Sequence, residues 1–310
     1  MDVSVIVNTY SLDRFEDFSE AVEAILAQTY ENIELILVVD GNEAVYDRIV
    51  ERYGEEPSIK THLTTENLGN SGARNAGAGL ATGDVIAVTD DDAVPEPDWI
   101  EELVSVYEST DAIAAGGPVI PDWVDGKPSF FPDEFLWLVG CNQPGFGDHM
   151  DEVRNTYGCN ISFRKEVFEK LGGFSENVGR IADKPIQGHE SEICIRMREE
   201  FDRGVIYTEN AVVNHKVYAY RTESRWLLER CFWQGVSKQV MSKLVGDATD
   251  TETEFLKLLV TTYTPRRLQE LIREPSTEKV SQLVALYIFT FVVGIGFVYG
   301  LFVRGRMTDE

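Results

Sequence analysis

The first 120 residues alternate short apolar runs with segments in which apolar residues recur at helical spacing. A strand that is apolar along its whole length is buried on both faces, and such strands separated by helices form a parallel sheet covered on each side by helices. The chain is therefore predicted to have an α/β fold. The predicted strands span residues 3–7, 33–39, 59–63, 84–89 and 112–115, and the predicted helices span residues 15–28, 44–53, 71–81 and 98–108.

A second constraint lies near the other end of the chain, where residues 283–303 contain no charged side chain. At about 1.5 Å per residue, a helix of this length reaches about 30 Å, the hydrocarbon thickness of a bilayer. A buried core helix has the same composition, but the flanking basic residues favour a transmembrane helix. More of them precede the segment than follow it, which favours a cytoplasmic location for the large domain. Those before it are Arg266, Arg267, Arg273 and Lys279, and those after it are Arg304 and Arg306.

The composition is strongly acidic, with 53 Asp and Glu against 28 Lys and Arg and a formal net charge of −25. Because a nucleic-acid-binding face needs clustered basic residues, we expect no nucleic acid partner. The acidic residues are spread along the whole chain, which is typical of a protein from a salt-rich cytoplasm, although an ordinary acidic protein is the alternative. The cysteines show no CxxC spacing and the N-terminus opens into a strand, so neither a zinc site nor a signal peptide is expected.

Residues 121–152 depart from the strand–helix alternation, because aromatic residues, Trp137 among them, stand there between proline, glycine and aspartate. We interpret this segment as an irregular insertion over the site. Further helical patterns occupy residues 189–200, 222–244 and 254–273. The pattern at 222–244 mixes aromatic, aliphatic and basic residues as an interfacial membrane helix does, but ordinary packing on the main domain explains it equally well.

Three consecutive carboxylates, Asp90, Asp91 and Asp92, directly follow the fourth predicted strand. In open α/β sheets, ligands bind beyond the carboxyl ends of the strands. A divalent cation that bridges a diphosphate would neutralise these acids through hard oxygen ligands, whereas an acidic turn capping the next helix is the alternative. The glycine-rich segment 67–77, which contains Arg74, either approaches a phosphate closely or is a plain loop-to-helix transition.

These two segments, in this order after VSVIVNTY and ELILVVDG, resemble family 2 glycosyltransferases of the GT-A fold. The resemblance covers roughly residues 1–235. Each segment is degenerate alone, but the ordered set is specific. The further segments that carry it are residues 157–164, 172–174, 188–196 and 212–215.

The resemblance implies a GT-A catalytic domain with a Rossmann-like, mostly parallel sheet, a UDP-sugar donor and a divalent metal, Mg²⁺ or Mn²⁺. It implies that the nucleotide sugar is bound by Thr9, Tyr10, Asp40, Arg74, Asp90 and Asp91, and the metal by Asp92 and His215. A hydrogen-bonded core histidine is the alternative for His215. On the acceptor side the resemblance implies Asn160, Glu192 and Trp137. The implied domains are the catalytic domain at 1–220 (nucleotide-sugar half 1–120, acceptor half 121–220), an amphipathic segment at 221–280, the transmembrane helix at 283–303 and a tail at 304–310.

The chain departs from the family pattern at one place. Where the family most often has Glu-Asp, this sequence has His189-Glu190. The Asp of that pair is the family's catalytic base, so the resemblance assigns the base to Glu190, with Glu192 as a substitute. A base on the acceptor side, with direct displacement of the nucleotide, implies inversion at the anomeric carbon.

The membrane helix and the acidic composition suggest a lipid-linked acceptor. The chain resembles haloarchaeal enzymes that assemble N-glycans for S-layer glycoproteins on dolichyl phosphate, which implies transfer of glucuronate from UDP-glucuronate to glucosyl-dolichyl phosphate and the possibility of other glycosylation enzymes as partners. Transfer of another hexose to another glycolipid, transfer directly to dolichyl phosphate, and a non-catalytic nucleotide-sugar-binding scaffold are the alternatives. An anionic sugar favours a basic partner, for which the candidates are Arg154, Arg164, Arg180 and Lys184.

Overall fold

A computed structural model describes residues 1–176, 188–244 and 250–303, together with two short strands at 180–181 and 184–185. The side chains of Arg180, Lys184, Arg304 and Arg306 lie outside the described residues. The chain divides into two compact units. The first contains Met1–Ile120, Gly145–Val178 and His189–Lys216, and the second contains Pro121–Pro144, Gly179–Gly188 and Val217–Glu310.

The first unit is built on an eight-stranded mixed sheet in the order β3-β2-β1-β4-β9-β6-β12-β8. Its strands are β1 (Val3–Thr9), β2 (Ile33–Val39), β3 (Ile59–Leu63), β4 (Val85–Asp90), β6 (Ala114–Gly116), β8 (Glu152–Val153), β9 (Ile161–Arg164) and β12 (Val205–Tyr207). The first four run parallel, as the apolar runs predict, and β9 pairs antiparallel with both β4 and β6. The α/β fold with a mostly parallel sheet is confirmed.

Helices cover this sheet. They are α1 (Phe15–Leu26), α2 (Glu43–Tyr53), α3 (Gly69–Ala78), α4 (Trp99–Ser109), α5 (Lys165–Leu171) and α6 (His189–Phe201). Small residues let α3 lie directly on the strands: a Cβ added at Gly77 would come within 2.7 Å of Ile6 and 3.0 Å of Val38. The glycine-rich segment is therefore a helix packed close to β1 and β2, beginning beside the strand ends.

A three-stranded sheet joins β5 (Ala93–Pro95), β13 (Val213–Val217) and β7 (Val119–Trp123), with β13 in the middle. In its antiparallel ladder with β5, His215 lies opposite Ala93. This register places the imidazole of His215 beside the acidic triplet, which ends one residue before β5.

The second unit is mainly helical, with an antiparallel pair of short strands, β10 (Arg180–Ile181) and β11 (Lys184–Pro185). Its helices are a 3₁₀ helix at Asp133–Val139, α7 (Ser224–Leu244), α8 (Asp250–Leu258), α9 (Thr264–Arg273), which continues a π-helical turn at Leu259–Tyr263, and α10 (Thr277–Val303). Within the described residues, Thr277–Phe302 is long and apolar enough to cross a membrane, with a mean hydropathy of 2.2 over its most apolar window, of which 28% is buried.

Glycines bring α7 and α10 into backbone contact. A Cβ added at Gly235 would strike the carbonyl oxygen of Val293, and one at Gly296 would strike that of Phe232. Small residues at a crossing allow apolar helices to approach this closely, as in membrane helix pairs. For residues 222–244 the sequence allowed either an interfacial membrane helix or ordinary packing on the main domain. In the structure they form α7, which packs against the apolar helix α10.

Candidate active site

Three parallel strands bring polar side chains to one edge of the sheet. In the register of β1 with its neighbours, Thr9 lies opposite Val39 at the end of β2, and Asn8 lies opposite Asp90 at the end of β4. Asp40 is the next residue after β2. The carboxyl ends of these strands therefore gather Thr9, Asp40 and the acidic triplet, as the sequence predicts for a binding site in a parallel sheet.

Asp40 holds the loop that leads into α3. Its carboxylate accepts hydrogen bonds from the backbone N–H groups of Leu68 (2.7 Å) and Gly69 (2.9 Å) and from the Thr64 hydroxyl (3.1 Å). Only 5% of Asp40 is exposed. These bonds fix the start of the glycine-rich helix against the sheet edge. Tyr10, at the same edge, is 54% exposed and therefore accessible to a ligand.

Asp91 and Asp92 are buried and share one cationic partner. The Thr9 hydroxyl donates to Oδ2 of Asp91 at 2.7 Å. Nη1 of Arg14 lies 3.2 Å from Oδ1 of Asp91 and 3.2 Å from Oδ2 of Asp92. Burial, together with the neighbouring Asp92 carboxylate, raises the pKa of Asp91 to about 6. Desolvation of a carboxylate has this effect because it penalises the charged form.

His215 contacts the other oxygen of the same acid. Its Nε2 lies 3.4 Å from Oδ1 of Asp92, and the residue is 6% exposed. The backbone N–H of Lys216 donates to the carbonyl oxygen of Asp92 at 2.8 Å. The structure thus brings together Asp92 and His215, the two residues predicted to bind a metal.

Arg74 is almost completely buried, with 1% of its surface exposed. It donates hydrogen bonds to Oδ1 of Asp90 and to the carbonyl oxygen of Gly158 at 2.9 Å. Its guanidinium also lies over the ring of Phe174. These contacts make Arg74 a support that orients Asp90, whose side chain is 30% exposed.

Two glutamates in the first turn of α6 differ in their environment. Glu192 forms a bidentate pair with Arg196, with N–O distances of 2.6 and 2.8 Å. Arg196 is in turn anchored to the carbonyl oxygens of Leu171 and Gly173. Among the described residues, no hydrogen bond or ion pair engages the carboxylate of the half-buried Glu190. Glu192 thus braces the chain through Arg196, while the role of Glu190 as the proton acceptor stays a prediction.

Asn160 and Arg164 serve the fold of the first unit. Asn160 is fully buried and donates to the carbonyl oxygens of Pro118 (3.0 Å) and Ala211 (2.7 Å), while its Oδ1 accepts from the indole of Trp99 at 2.8 Å. Arg164 donates to the carbonyl oxygens of Ala112 and Tyr107. These contacts occupy Asn160 and Arg164 and do not favour direct contact with a substrate. Arg154 donates to Oδ1 of Asn155 at 2.9 Å.

The second unit contains Trp137 and an apolar groove. Trp137 is half-buried, and the ammonium of Lys238 lies 5.4 Å from its ring centre. The groove has a volume of about 700 Å³ and runs along the first turns of α10. Hydroxyl-bearing residues line it beside the start of the helix, and apolar residues line it further along. They include Ser276, Ser281, Leu228, Val284, Ile288 and Phe289.

The side chains at the sheet edge fit a divalent cation that is shared with a ligand. Among the described residues, no three His, Cys, Asp or Glu side chains form a closed metal site. However, carboxylate oxygens of Asp91 and Asp92 converge on one positively charged nitrogen, that of Arg14. Mg²⁺ is usually held by one or two carboxylates together with phosphate oxygens of the substrate. Sequence reasoning missed Arg14, whose only signal was a basic residue shortly after the first strand.

Comparisons with known proteins show the family to which the chain belongs. The model of the family described as glycosyl transferase family 2 matches residues 4–172. Over 302 residues, 97% of this chain and 96% of the relative, the sequence is 54% identical to a glucosyl-dolichyl phosphate glucuronosyltransferase of Haloferax volcanii.

Solved structures share the fold at low sequence identity. A mannosyltransferase from Pyrobaculum calidifontis in complex with GDP-Man and Mn²⁺ superposes with a TM-score of 0.61 at 18% identity, covering 99% of this chain and 88% of that one. TarS 1–349 of S. aureus in complex with UDP superposes with a TM-score of 0.55 at 13% identity, covering 100% and 93%. Both superpositions extend over nearly the whole of this chain.

Proposed function

Because the chain belongs to glycosyl transferase family 2, we propose that it is an inverting glucuronosyltransferase that moves glucuronate from UDP-glucuronate to glucosyl-dolichyl phosphate. The similarity to the Haloferax volcanii enzyme over 97% of this chain supports the choice of donor sugar and acceptor. The main support for a glycosyl transfer reaction is the arrangement of acids at the carboxyl edge of the sheet. Asp40, Asp90, Asp91 and Asp92 lie together there, where a nucleotide-sugar donor would bind.

The donor half of the reaction is assigned to the strand ends. Tyr10 and Asp40 bind the uridine, and Asp90, oriented by Arg74, binds the ribose. Asp92 and His215 would hold Mg²⁺ or Mn²⁺, which would supply positive charge to offset that of the leaving diphosphate. Placing acids and a cation at one edge orients the anomeric carbon for attack.

The acceptor half is assigned to Glu190. Its carboxylate takes the proton of the attacking sugar hydroxyl, whose oxygen forms a bond to the anomeric carbon while the bond to UDP breaks. UDP leaves with the bonding electrons, and a single displacement inverts the configuration. The carboxylate of Glu190 suits this task because the described residues leave it without a hydrogen bond or ion pair.

The dolichyl chain of the acceptor is assigned to the apolar groove of the second unit. The groove follows the N-terminal turns of α10, the helix that is long and apolar enough to span a membrane. An isoprenoid chain is apolar, and its removal from water stabilises it against such a surface. We place the nucleotide-binding unit on the cytoplasmic side, as the distribution of basic residues around the helix favours. The product then serves as a lipid-linked precursor of S-layer N-glycans, in company with other glycosylation enzymes.

A transfer assay tests the proposal. Membranes containing the protein are incubated with Mn²⁺ and radiolabelled UDP-glucuronate, UDP-glucose or GDP-mannose, with either glucosyl-dolichyl phosphate or dolichyl phosphate as acceptor. We expect label only from UDP-glucuronate on the glucosyl lipid, with inverted linkage by NMR. Label from another donor, or on dolichyl phosphate, would select one of the alternative transfers. Binding of UDP-sugar without turnover on any acceptor would indicate the scaffold.

Removal of the metal with EDTA and the variant Asp92→Asn serve as controls for the transfer assay. EDTA should abolish transfer, and Mn²⁺ or Mg²⁺ should restore it. Asp92→Asn should lower kcat by about 10²- to 10³-fold, the usual loss when one stabilising group at a developing charge is removed. Its melting temperature should stay near that of the unaltered protein, because the change removes one of two repelling carboxylates and leaves Arg14 paired with Asp91. Full activity in EDTA would remove the metal from the proposal.

A further inference from the structure

Arg14 occupies a position that no other part of the proposed reaction explains. It ends a short 3₁₀ turn, Leu12–Arg14, directly after β1. From there its Nη1 reaches between two neighbouring carboxylates, 3.2 Å from each. The side chains of Asp91 and Asp92 are only 8% and 4% exposed, whereas that of Arg14 is 26% exposed.

Two adjacent buried carboxylates repel each other and lose hydration, so they need a counter-charge to remain ionised. The guanidinium of Arg14 supplies one positive charge to both acids. Of the two oxygens of Asp92, one contacts Arg14 and the other contacts His215. A divalent cation held by Asp92 and His215 would bind a carboxylate that Arg14 already neutralises, so the cation and the guanidinium compete for Asp92.

We propose that Arg14 is a built-in counter-cation, which holds the acidic pair in the absence of donor and is displaced when a divalent cation arrives with the nucleotide diphosphate. This inference rests on the proposed function, because it assumes that the acids serve a metal–diphosphate complex. Competition from Arg14 weakens the binding of the metal alone. The diphosphate is negatively charged and can pair with both the divalent cation and Arg14. The displaced guanidinium therefore regains an anionic partner. Metal and nucleotide then strengthen each other's binding, and Arg14 contributes part of that coupling.

The test measures Mn²⁺ affinity by electron paramagnetic resonance on the full-length protein in detergent, with and without UDP. In Arg14→Gln, the affinity for Mn²⁺ alone should rise by at least about fivefold, the lower end of typical coupling between ligands. The factor by which UDP increases Mn²⁺ affinity should fall accordingly. Arg14→Lys retains the charge and should retain weak binding of the metal alone. Arg48→Gln is the matched control, since Arg48 pairs with Glu51 on the surface of the same unit, and it should change nothing.

Stability gives a second readout. Without metal, Arg14→Gln should melt at a lower temperature than the unaltered protein, and Mn²⁺ should raise its melting temperature more, because the cation replaces the missing counter-charge. If the variant folds only with Mn²⁺ and not with added KCl, the counter-charge role is supported as well. If Mn²⁺ fails to rescue an unfolded variant, the proposal is overturned.

The outcomes separate this inference from the proposed function. If Mn²⁺ and UDP bind the unaltered protein and Arg14→Gln binds Mn²⁺ no more tightly, the counter-cation role is overturned while the transferase assignment stands. If the unaltered protein binds no Mn²⁺ even with UDP, the metal site and the role of Arg14 are overturned together.

Discussion

Buried carboxylates occur in both units, and they are neutralised in different ways. In the second unit, Glu134 is fully buried and accepts a bidentate pair from Arg267 as well as a hydrogen bond from Arg266. In the first unit, Asp91 and Asp92 both pair with Arg14, whose side chain is 26% exposed. A carboxylate enclosed by its partners stabilises a fold, whereas an incompletely neutralised one retains the capacity to bind a cation or a proton.

Glu190 and Glu192 show the same contrast within one helix, α6. Glu192 is paired with Arg196, whereas no described residue forms an ion pair with Glu190. Glu190→Gln retains the shape and removes the proton acceptor, so turnover should fall by about 10²- to 10⁴-fold, the usual contribution of general base catalysis. Affinity for the UDP-sugar should change little. Steady-state kinetics with lipid acceptor measures both.

Glu192→Gln and Glu190→Asp serve as controls for that variant. Glu192 is held by Arg196, so its replacement should lower turnover much less, mainly through the local loss of bracing. Glu190→Asp restores a carboxylate with a shorter reach and should retain partial activity. Normal turnover in Glu190→Gln with a collapse in Glu192→Gln would move the base to Glu192.

The enclosed carboxylate of the second unit should matter for stability. Glu134→Gln leaves the buried Arg267 without its full counter-charge, and loss of one partner of a buried pair typically costs about 3–5 kcal/mol. Unfolding in detergent can be followed by tryptophan fluorescence, since the second unit holds Trp123, Trp137, Trp226 and Trp233. The matched control is Glu51→Gln in an exposed pair, which should cost less than about 1 kcal/mol. Equal losses in both variants would contradict the distinction between enclosed and open pairs.

The apolar groove should affect the acceptor and leave the donor site unchanged. Val284 lines the groove and is 51% exposed, so Val284→Trp fills the groove without repacking a core. We expect KM for the dolichyl-linked acceptor to rise by about tenfold, equivalent to 1.4 kcal/mol, with KM for the UDP-sugar unchanged. Val298→Trp is the control, because Val298 is 52% exposed on the same helix and is not among the residues that line the groove. Identical kinetics in both variants would place the lipid chain elsewhere.

Added salt should give the smallest stabilisation for each charged residue, because it screens repulsion over the whole surface. At a net charge of −25, added KCl screens repulsion between surface acids, because the Debye length falls from about 10 Å at 0.1 M to about 3 Å at 1 M. The melting temperature should therefore rise between 0.1 and 2 M KCl, by about 2–4 °C for each kcal/mol gained. Calorimetry of the full-length protein measures it. A melting temperature that is independent of salt would remove the interpretation as a halophilic protein.

Much of this protein follows from short-range patterns in the sequence. Apolar strands such as Ile33–Val39 can be predicted from the sequence, because a strand buried on both faces needs apolar residues throughout. Because Asp40 and Asp90 follow or end such apolar runs, the sequence also predicts their position at the carboxyl edge of the sheet. The long apolar helix is predicted from its length without a charged residue. Helix ends were predicted less closely: the pattern at 71–81 is a helix at Gly69–Ala78, because small residues carry little periodic signal.

Apart from the pairing of Asp92 with His215, which the family resemblance implied, the long-range contacts of the site could not be predicted from the sequence. The pairing of Arg14 with Asp91 and Asp92 joins residues almost 80 positions apart, and that of Glu134 with Arg267 joins residues 133 apart. Sequence also left open the choice between Glu190 and Glu192, since both are acids in the same helical turn. Only the tertiary structure shows that Arg196 pairs with Glu192, and the assignment of the base to Glu190 stays a prediction.

The sequence by itself determined the α/β sheet, the positions of the acids at its edge and the apolar helix, because periodicity and residue type are local properties of the chain. The tertiary structure alone decided which carboxylates are enclosed, which share a cation and which remain open. The physical reason is that the cost of a buried charge depends on the groups within a few ångströms of it, and folding brings those groups from distant parts of the sequence.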